Sequence, residues 1–203
     1  ASFLFSLKME GLLIEKDTVK GVKLSDGTTI DTPAVILAIG HSARDTFQTL
    51  LSQGVVIESK AFSVGVRIEH LQEWINQAQF GDARHFKLGA ADYQLFEHFG
   101  EKTAYTFCMC PGGVVVAAAS EERTIVTNGM SYHARSGLNA NSAYVVSVSP
   151  SDFSSHPLGG VDFQRELEKA AYVKTGGYAA PIQKLGDFLE RRPSLKAGAV
   201  KPS

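Results

Sequence analysis

Residues 34–54 read Ala34-Val35-Ile36-Leu37-Ala38-Ile39-Gly40-His41-Ser42-Ala43-Arg44-Asp45-Thr46-Phe47-Gln48-Thr49-Leu50-Leu51-Ser52-Gln53-Gly54. An unbroken apolar run ahead of a glycine reads as a strand buried on both faces, as in a parallel sheet. Ser42 is placed to cap a helix, and Asp45, three residues on, completes a capping-box-like pair. Phe47, Leu50 and Leu51 fall on one helical face, and Gly54 can supply the left-handed position past the helix end. The stretch therefore predicts strand, turn and helix.

Upstream, the chain reads as an antiparallel meander. Phe3, Phe5 and Leu7 alternate with Ser2, Leu4 and Ser6, and further strands are expected over 11–15, 19–24 and 28–30. Asp26-Gly27 is a hairpin-turn pair, because both residue types tolerate positive φ. Downstream, Phe62, Val64, Val66 and Ile68 alternate with Ser63, Gly65, Arg67 and Glu69, which predicts a half-buried strand. Leu71, Trp74, Ile75 and Ala78 have helical spacing, ended by Gly81. Residues 82–102 have no clean period. Strands are expected over 103–109, 114–119, 124–127 and 143–148, with a turn at Pro111-Gly112-Gly113. A helix is expected over 161–174, with Asp162 as its cap and Phe163, Leu167, Ala170 and Ala171 inward. Too few parallel strands are present for a doubly wound sheet. The fold class is α+β, mostly antiparallel sheet with a few helices.

The chain has 203 residues, 44% of them hydrophobic and 20% charged, with Lys+Arg 20 against Asp+Glu 21 and a net charge of −1. That composition excludes a disordered tail, a collagen-like repeat and a disulfide scaffold. Without a basic excess, nucleic acid is not an expected partner. The apolar runs fall short of the ~20 residues of a membrane helix, so no membrane is expected either. Two cysteines suggest a reducing, cytoplasmic setting. The chain begins at Ala1 and stops at Lys201-Pro202-Ser203, which reads as a piece cut from a longer protein.

Four stretches could carry chemistry. In Gly40-His41-Ser42-Ala43-Arg44-Asp45, a helix N-terminus offers free N–H groups to an anion such as a pyrophosphate, and Arg44 could fork onto phosphate oxygens. The plainer reading is a capped helix with a solvated arginine. In Gly65-Val66-Arg67-Ile68-Glu69-His70, alternation puts Ser63, Gly65, Arg67 and Glu69 on one face. A glycine there lets a flat ligand approach, and Arg67 could hold an anionic group. A surface Arg67–Glu69 pair is the alternative. In Cys108-Met109-Cys110-Pro111-Gly112-Gly113, a regular strand would put both sulfurs on one face with Cα atoms about 6.6–6.8 Å apart. That is the upper limit for a disulfide, so a bridge would be strained and easily reduced. Two buried, reduced core cysteines are the simpler account. A metal would need further ligands, and no other His or Cys lies nearby in sequence, so no metal is expected. Finally, Asn128-Gly129-Met130-Ser131-Tyr132-His133-Ala134-Arg135 and Asn139-Ala140-Asn141-Ser142 suit polar recognition, or form an ordinary loop between strands. No nucleophile triad, P-loop, H-E-x-x-H or G-x-G-x-x-G is present.

Gly21-Val22-Lys23-Leu24-Ser25-Asp26-Gly27 followed by Val35-Ile36-Leu37-Ala38-Ile39-Gly40 resembles the second flavin-associated motif of two-dinucleotide-domain flavoproteins. Ile39 stands where that A-x-G motif usually carries Thr. With Gly40–Thr46, Gly65–His70, Thr106–Gly113 and Thr127–Ser131 in this order, the chain resembles a group of bacterial, uncharacterised FAD-dependent dehydrogenases from about Gly21 to about Leu189. The resemblance implies a middle fragment. Residues 1–45 would be a remnant of the FAD-binding domain, 46–190 an inserted cap or substrate domain, and 191–203 a linker or truncated edge. FAD would belong to the full-length parent and would not be retained by this piece alone. The remainder of the FAD-binding domain and an unknown small-molecule substrate would be its partners.

In that setting the implied cofactor-binding residues are Gly40, His41, Ser42, Arg44, Asp45, Gly65, Arg67, Gly112 and Gly113. Asn128, Ser131, Arg135, Asn139 and Asn141 would meet substrate, and Arg67, Cys108 and Cys110 are the candidates for a catalytic role. A cation near the flavin N1 side favours the reduced anion, a role that suits Arg67. The fragment alone is expected to be inactive. A non-catalytic protein-binding or assembly module, using a sheet edge, competes with this reading, and so does a thiol-redox or metal-binding protein built on Cys108 and Cys110.

Overall fold

The computed structural model describes residues 2–81, 88–198 and 200–203. The stretch 82–87, within the region of no clean period, lies outside the described residues. The described chain forms two compact units, Ala1–Ser59 with Ser154–Asp162, and Lys60–Phe153 with Phe163–Ser203.

The first unit is built on the meander. Strands β1 (Met9–Glu15), β2 (Thr18–Leu24) and β3 (Thr29–Asp31) form an antiparallel sheet in that order. The Asp26-Gly27 turn closes as its chemistry requires. Gly27 has φ 84°, and the Thr28 amide and hydroxyl donate to the Asp26 carboxylate at 2.9 and 2.7 Å. These bonds to the charged form hold the Asp26 carboxyl below its ordinary range. Helix α1 (Arg44–Ser52) buries Leu50 and is followed by Gly54 at φ 83°, whose amide donates to Leu51 O at 3.0 Å.

Three expectations for this unit fail. Phe3–Leu7 is not a strand, and Phe3, Leu4 and Phe5 are exposed. Residues 34–40 are not a buried strand: only Val35 is half-buried, and Ile36 is 93% exposed. Apolar character creates a strand only where a neighbouring strand accepts its ladder, and none among the described residues pairs here. Ser42 is not the helix cap. Ala43 takes that position, without a side-chain cap bond. Asp45 instead pairs with Lys8 and accepts the Thr46 amide at 2.9 Å. The Lys8 ammonium is the main reason its carboxyl sits below the usual carboxylate range.

The second unit is built on a four-stranded antiparallel sheet in the order β4-β9-β6-β5. These strands are β4 (Phe62–Leu71), β5 (Phe96–Phe99), β6 (Lys102–Cys110) and β9 (Asn139–Val148). A hairpin of β7 (Gly113–Ala118) and β8 (Val126–Ser131) forms a separate two-stranded sheet. Helix α2 (Gln72–Phe80) follows β4 directly and ends at Gly81, φ 66°. Phe62, Phe153 and Phe163 pack at ring-centroid distances of 5.3–6.4 Å. Helix α3 (Gly159–Thr175) starts before the expected Asp162 cap, which lies in its first turn. Leu167 and Ala170 are exposed rather than inward. Helix α4 (Leu185–Leu189) buries Asp187, which accepts the Ser194 hydroxyl at 2.6 Å and pairs with Arg192 at 2.9 Å.

The register places two residue sets on opposite faces of the sheet. Gly65 faces Val145, Arg67 faces Ala143 and Glu69 faces Asn141 across β4–β9, while Phe107 faces Ala143 across β6–β9. Paired residues share a face, so Gly65, Arg67, Glu69, Asn139, Asn141 and Phe107 lie on one side. His70 and Ser142 lie on the other.

Helix α2 is turned relative to its apolar spacing. Trp74 is 53% exposed, whereas Gln72 and Asn76 are buried. Hydrogen bonds explain the rotation. Gln72 Nε2 donates to Asn76 Oδ1 and to Ala91 O, both at 2.9 Å, and the Ala91 amide donates to Asn76 Oδ1 at 3.0 Å. Gln72 Oε1 accepts the Gly112 amide at 2.7 Å. The expected bounds of β8 and β9 also shift: Thr124 and Ile125 precede β8, which begins at Val126. β8 runs through Ser131, and β9 begins at Asn139, inside the polar stretch read as loop.

Candidate functional site

Arg67 is the centre of the arrangement in the second unit. Its Nη1 donates to Asn141 Oδ1 at 2.6 Å and its Nη2 to the Cys108 carbonyl at 2.9 Å. Nη1 also lies 3.8 Å from Cys110 Sγ. The guanidinium thus ties β4 to the central strand β9 and to the end of β6. It makes no surface pair with Glu69, whose carboxylate accepts Asn139 Nδ2 at 3.0 Å and the Ser203 amide at 3.1 Å.

Gly129 makes room for this charge, and Gly65 for the close approach of the strands beside it. A Cβ on Gly129 of β8 would lie 1.7 Å from Arg67 Nη1 and 2.3 Å from Asn141 Oδ1. Any larger residue there would require the guanidinium to move aside before the hairpin could close on it. A Cβ on Gly65 would lie 2.0 Å from the Tyr144 carbonyl, so β4 and β9 approach there as no larger residue permits.

Asn141 and Ser142 are 0% exposed in the first half of β9. Buried polar side chains are stable only when their donors and acceptors are answered. Asn141 Oδ1 is answered by Arg67. Its Nδ2 has no partner among the described residues, and neither has Asn139 Oδ1. Asn139 Nδ2 also donates to the Lys201 carbonyl at 2.9 Å.

The cysteines do not match the expectation of two buried sulfurs on one strand face. Cys108 is exposed and Cys110 is buried. Cys108 has φ 48°, and the β6–β9 register shifts between Phe107 and Cys110. The left-handed residue turns the strand, so period-2 alternation does not carry through it. Burial is the main cause that pushes the Cys110 thiol above its ordinary range, with the neighbouring Cys108 acting in the same direction.

The Pro111-Gly112-Gly113 turn is wholly buried. Gly112 has φ 53°, and its carbonyl accepts the Gly137 amide at 3.1 Å. A Cβ there would lie 2.1 Å from the Arg135 carbonyl. The Ser131 hydroxyl donates to the Pro111 carbonyl at 2.8 Å. The turn amide of Gly112 therefore meets Gln72, not open space.

The second unit brings Arg67, Cys108, Cys110, Gly112, Gly113, Ser131, Asn139 and Asn141 into one connected region, with Gly65 two residues away on the same face. Arg135 is exposed on the strap that covers Gly112, and Asn128 is exposed on β8. Gly40, His41, Ser42, Arg44 and Asp45 belong to the first unit. Gly40, His41, Ser42 and Asp45 are exposed there, and Arg44 is 3% exposed.

Sequence reasoning missed Gln72 and Tyr93. The Tyr93 hydroxyl and His70 Nε2 share a hydrogen bond of 2.8 Å, with His70 Nδ1 3.3 Å from the Leu71 carbonyl. Burial raises the Tyr93 phenol above its ordinary range. A glutamine directly after a strand, at the first position of a helix, was the signal available for Gln72. Among the described residues no group of three or more His, Cys, Asp or Glu could hold a metal ion. No helix among them is long and apolar enough to cross a membrane.

Comparison with known proteins agrees with the resemblance in the sequence. The family "FAD-dependent protein, C-terminal domain-like" matches residues 61–203. An "Uncharacterized protein" of Clostridium beijerinckii is 54% identical over 200 residues, which cover 94% of this chain and 37% of that protein. The chain thus spans a little over a third of the length of the curated relative it matches. Because the match takes in more than two thirds of the chain, this protein belongs to the FAD-dependent protein, C-terminal domain-like family.

Proposed function

We propose that the chain is the cap or substrate-side part of a longer FAD-dependent oxidoreductase, a dehydrogenase working in the cytoplasm. The observation that carries this reading is a cation set beside unanswered buried polar atoms: Arg67 between sheet and hairpin, with Asn141 Nδ2 unpaired among the described residues. That donor set suits an oxygen-bearing, electron-accepting ring. Gly65 and Arg67 would face it, and Ser131, Asn139 and Asn141 would orient a small polar substrate beside it. The Gly112-Gly113 turn holds this wall in place through Gln72.

A flavin, when bound, supplies hydride or electron acceptance. The chain's own residues bind, orient and supply charge. The Arg67 guanidinium stabilises negative charge on a bound group. The remainder of the FAD-binding domain is the proposed partner in the same polypeptide, and this chain alone is expected neither to keep FAD nor to turn over substrate.

The test is a visible absorbance spectrum of the longer protein beside that of this chain, each after incubation with FAD and removal of the excess. A flavin band in the longer protein and none in this chain is expected. A longer protein that stays colourless would overturn the reading and leave a non-catalytic binding module as the better account.

A further inference from the structure

We propose that Cys108 and Cys110 form a reversible thiol–disulfide site whose substrate is a low-molecular-weight disulfide. The site goes beyond the flavin reading and does not depend on it.

The geometry divides the labour between the two sulfurs. Cys108 is exposed, as an attacking thiol must be, and Cys110 is buried behind it. The Cys110 thiol donates to the Cys108 carbonyl at 3.4 Å, and the same carbonyl accepts Arg67 Nη2 at 2.9 Å. Arg67 Nη1 stands 3.8 Å from Cys110 Sγ. One guanidinium therefore fixes the backbone of the first cysteine and faces the sulfur of the second.

Two plain core cysteines do not account for this arrangement. Cys108 takes a positive φ of 48°, a conformation costly for a residue with a Cβ, in the strand that pairs with the centre of the sheet. The turn places its thiol in solvent while its carbonyl stays tied to Arg67 and Cys110. A bridge between residues two apart is short and strained, and strained, exposed disulfides are the labile ones. A metal does not explain the pair, since no group of three ligands forms among the described residues.

The reaction balances as two exchange steps. The Cys108 thiol gives its proton to solvent, and its thiolate attacks one sulfur of the small disulfide. The S–S bond of that disulfide breaks, and the first small thiol leaves with a proton from solvent. Cys110 then gives its proton to solvent, its thiolate attacks the Cys108 sulfur, and the departing small thiolate takes a proton from solvent. The mixed disulfide breaks, the Cys108–Cys110 bond forms, and the second small thiol leaves. Two cysteine thiols are oxidised by two electrons, and one disulfide is reduced to two thiols.

The test equilibrates the reduced full chain with glutathione at graded oxidised-to-reduced ratios, quenches with acid, alkylates under denaturing conditions and weighs the protein. The wild type is expected to lose both alkylation sites together and to gain no glutathione mass. Cys110→Ser is expected to hold one glutathione on Cys108. Cys108→Ser, with only the buried thiol left, is expected to take up at least tenfold less glutathione than Cys110→Ser. Two thiols still free at a hundredfold excess of oxidised glutathione would overturn the proposal. So would a lasting glutathione adduct on the wild type, or a disulfide-linked dimer in place of the internal bridge.

Discussion

Residues 34–40 and residues 139–142 are opposites in composition and opposites in place. The first run is apolar, yet Ile36, Leu37 and Ile39 are exposed. The second is Asn-Ala-Asn-Ser, yet every residue in it is buried, in the central part of a four-stranded sheet. Hydrophobicity states what a segment gains by being covered. It does not supply the cover. The polar run is buried because most of its polar atoms find partners close by: Arg67 on Asn141, Glu69 and the Lys201 carbonyl on Asn139, and Ser142 against the Phe107 and Ala143 carbonyls, with Asn141 Nδ2 and Asn139 Oδ1 left over among the described residues. Residues 34–40 have no strand partner among the described residues.

The contrast can be broken at either end. Asn141→Leu removes the acceptor for Arg67 Nη1 and puts an apolar group against the guanidinium. A bond to a charged donor, lost inside a packed site, costs about 1–3 kcal/mol. Urea unfolding of the second unit should shift by that much. A change below about 0.5 kcal/mol would show that the buried polar run is not held by the arginine. Ile36→Ser, by contrast, should leave the stability of this chain within about 0.5 kcal/mol, as for a surface change. A loss comparable with that of Asn141→Leu would show that residues 34–40 are covered in solution.

The parts legible in the sequence were those decided by local chemistry. Asp26-Gly27 closes its hairpin with its own side chain, and Gly54 and Gly81 end their helices at positive φ. The alternation of 62–69 gives β4 and correctly places Gly65, Arg67 and Glu69 on one face. The parts that were not legible were decided by distant partners. Helix α2 turns Gln72 inward and Trp74 outward because Ala91 and Gly112 need its amide. Asn139–Ser142 looked like loop because Asn and Ser favour turns, and only Arg67 and Glu69, some seventy residues earlier, make them strand. β5 carries Phe96, Glu97, His98 and Phe99, all exposed, so no buried face marked it.

Much of the candidate site was legible as residue types, but not as geometry. The charge of Arg67 beside a glycine marks it in the sequence, but its ties to Asn141 and the Cys108 carbonyl exist only in the fold. The cysteines were read with strand periodicity, which the left-handed Cys108 breaks. Gly129 stood within a quoted motif, yet its reason, a guanidinium where a Cβ would be, exists only in three dimensions.

The role proposed for this domain is to bring the Arg67 cation to a flavin bound by the longer protein. The most direct measurement is the flavin reduction potential in that protein for the wild type, Arg67→Lys and Arg67→Gln. Losing the charge should disfavour the reduced anion, so Arg67→Gln should lie lower by about 30 mV, a tenfold change in the two-electron equilibrium. Arg67→Lys, which keeps the charge, should stay near the wild type. Equal potentials in all three proteins would contradict the account.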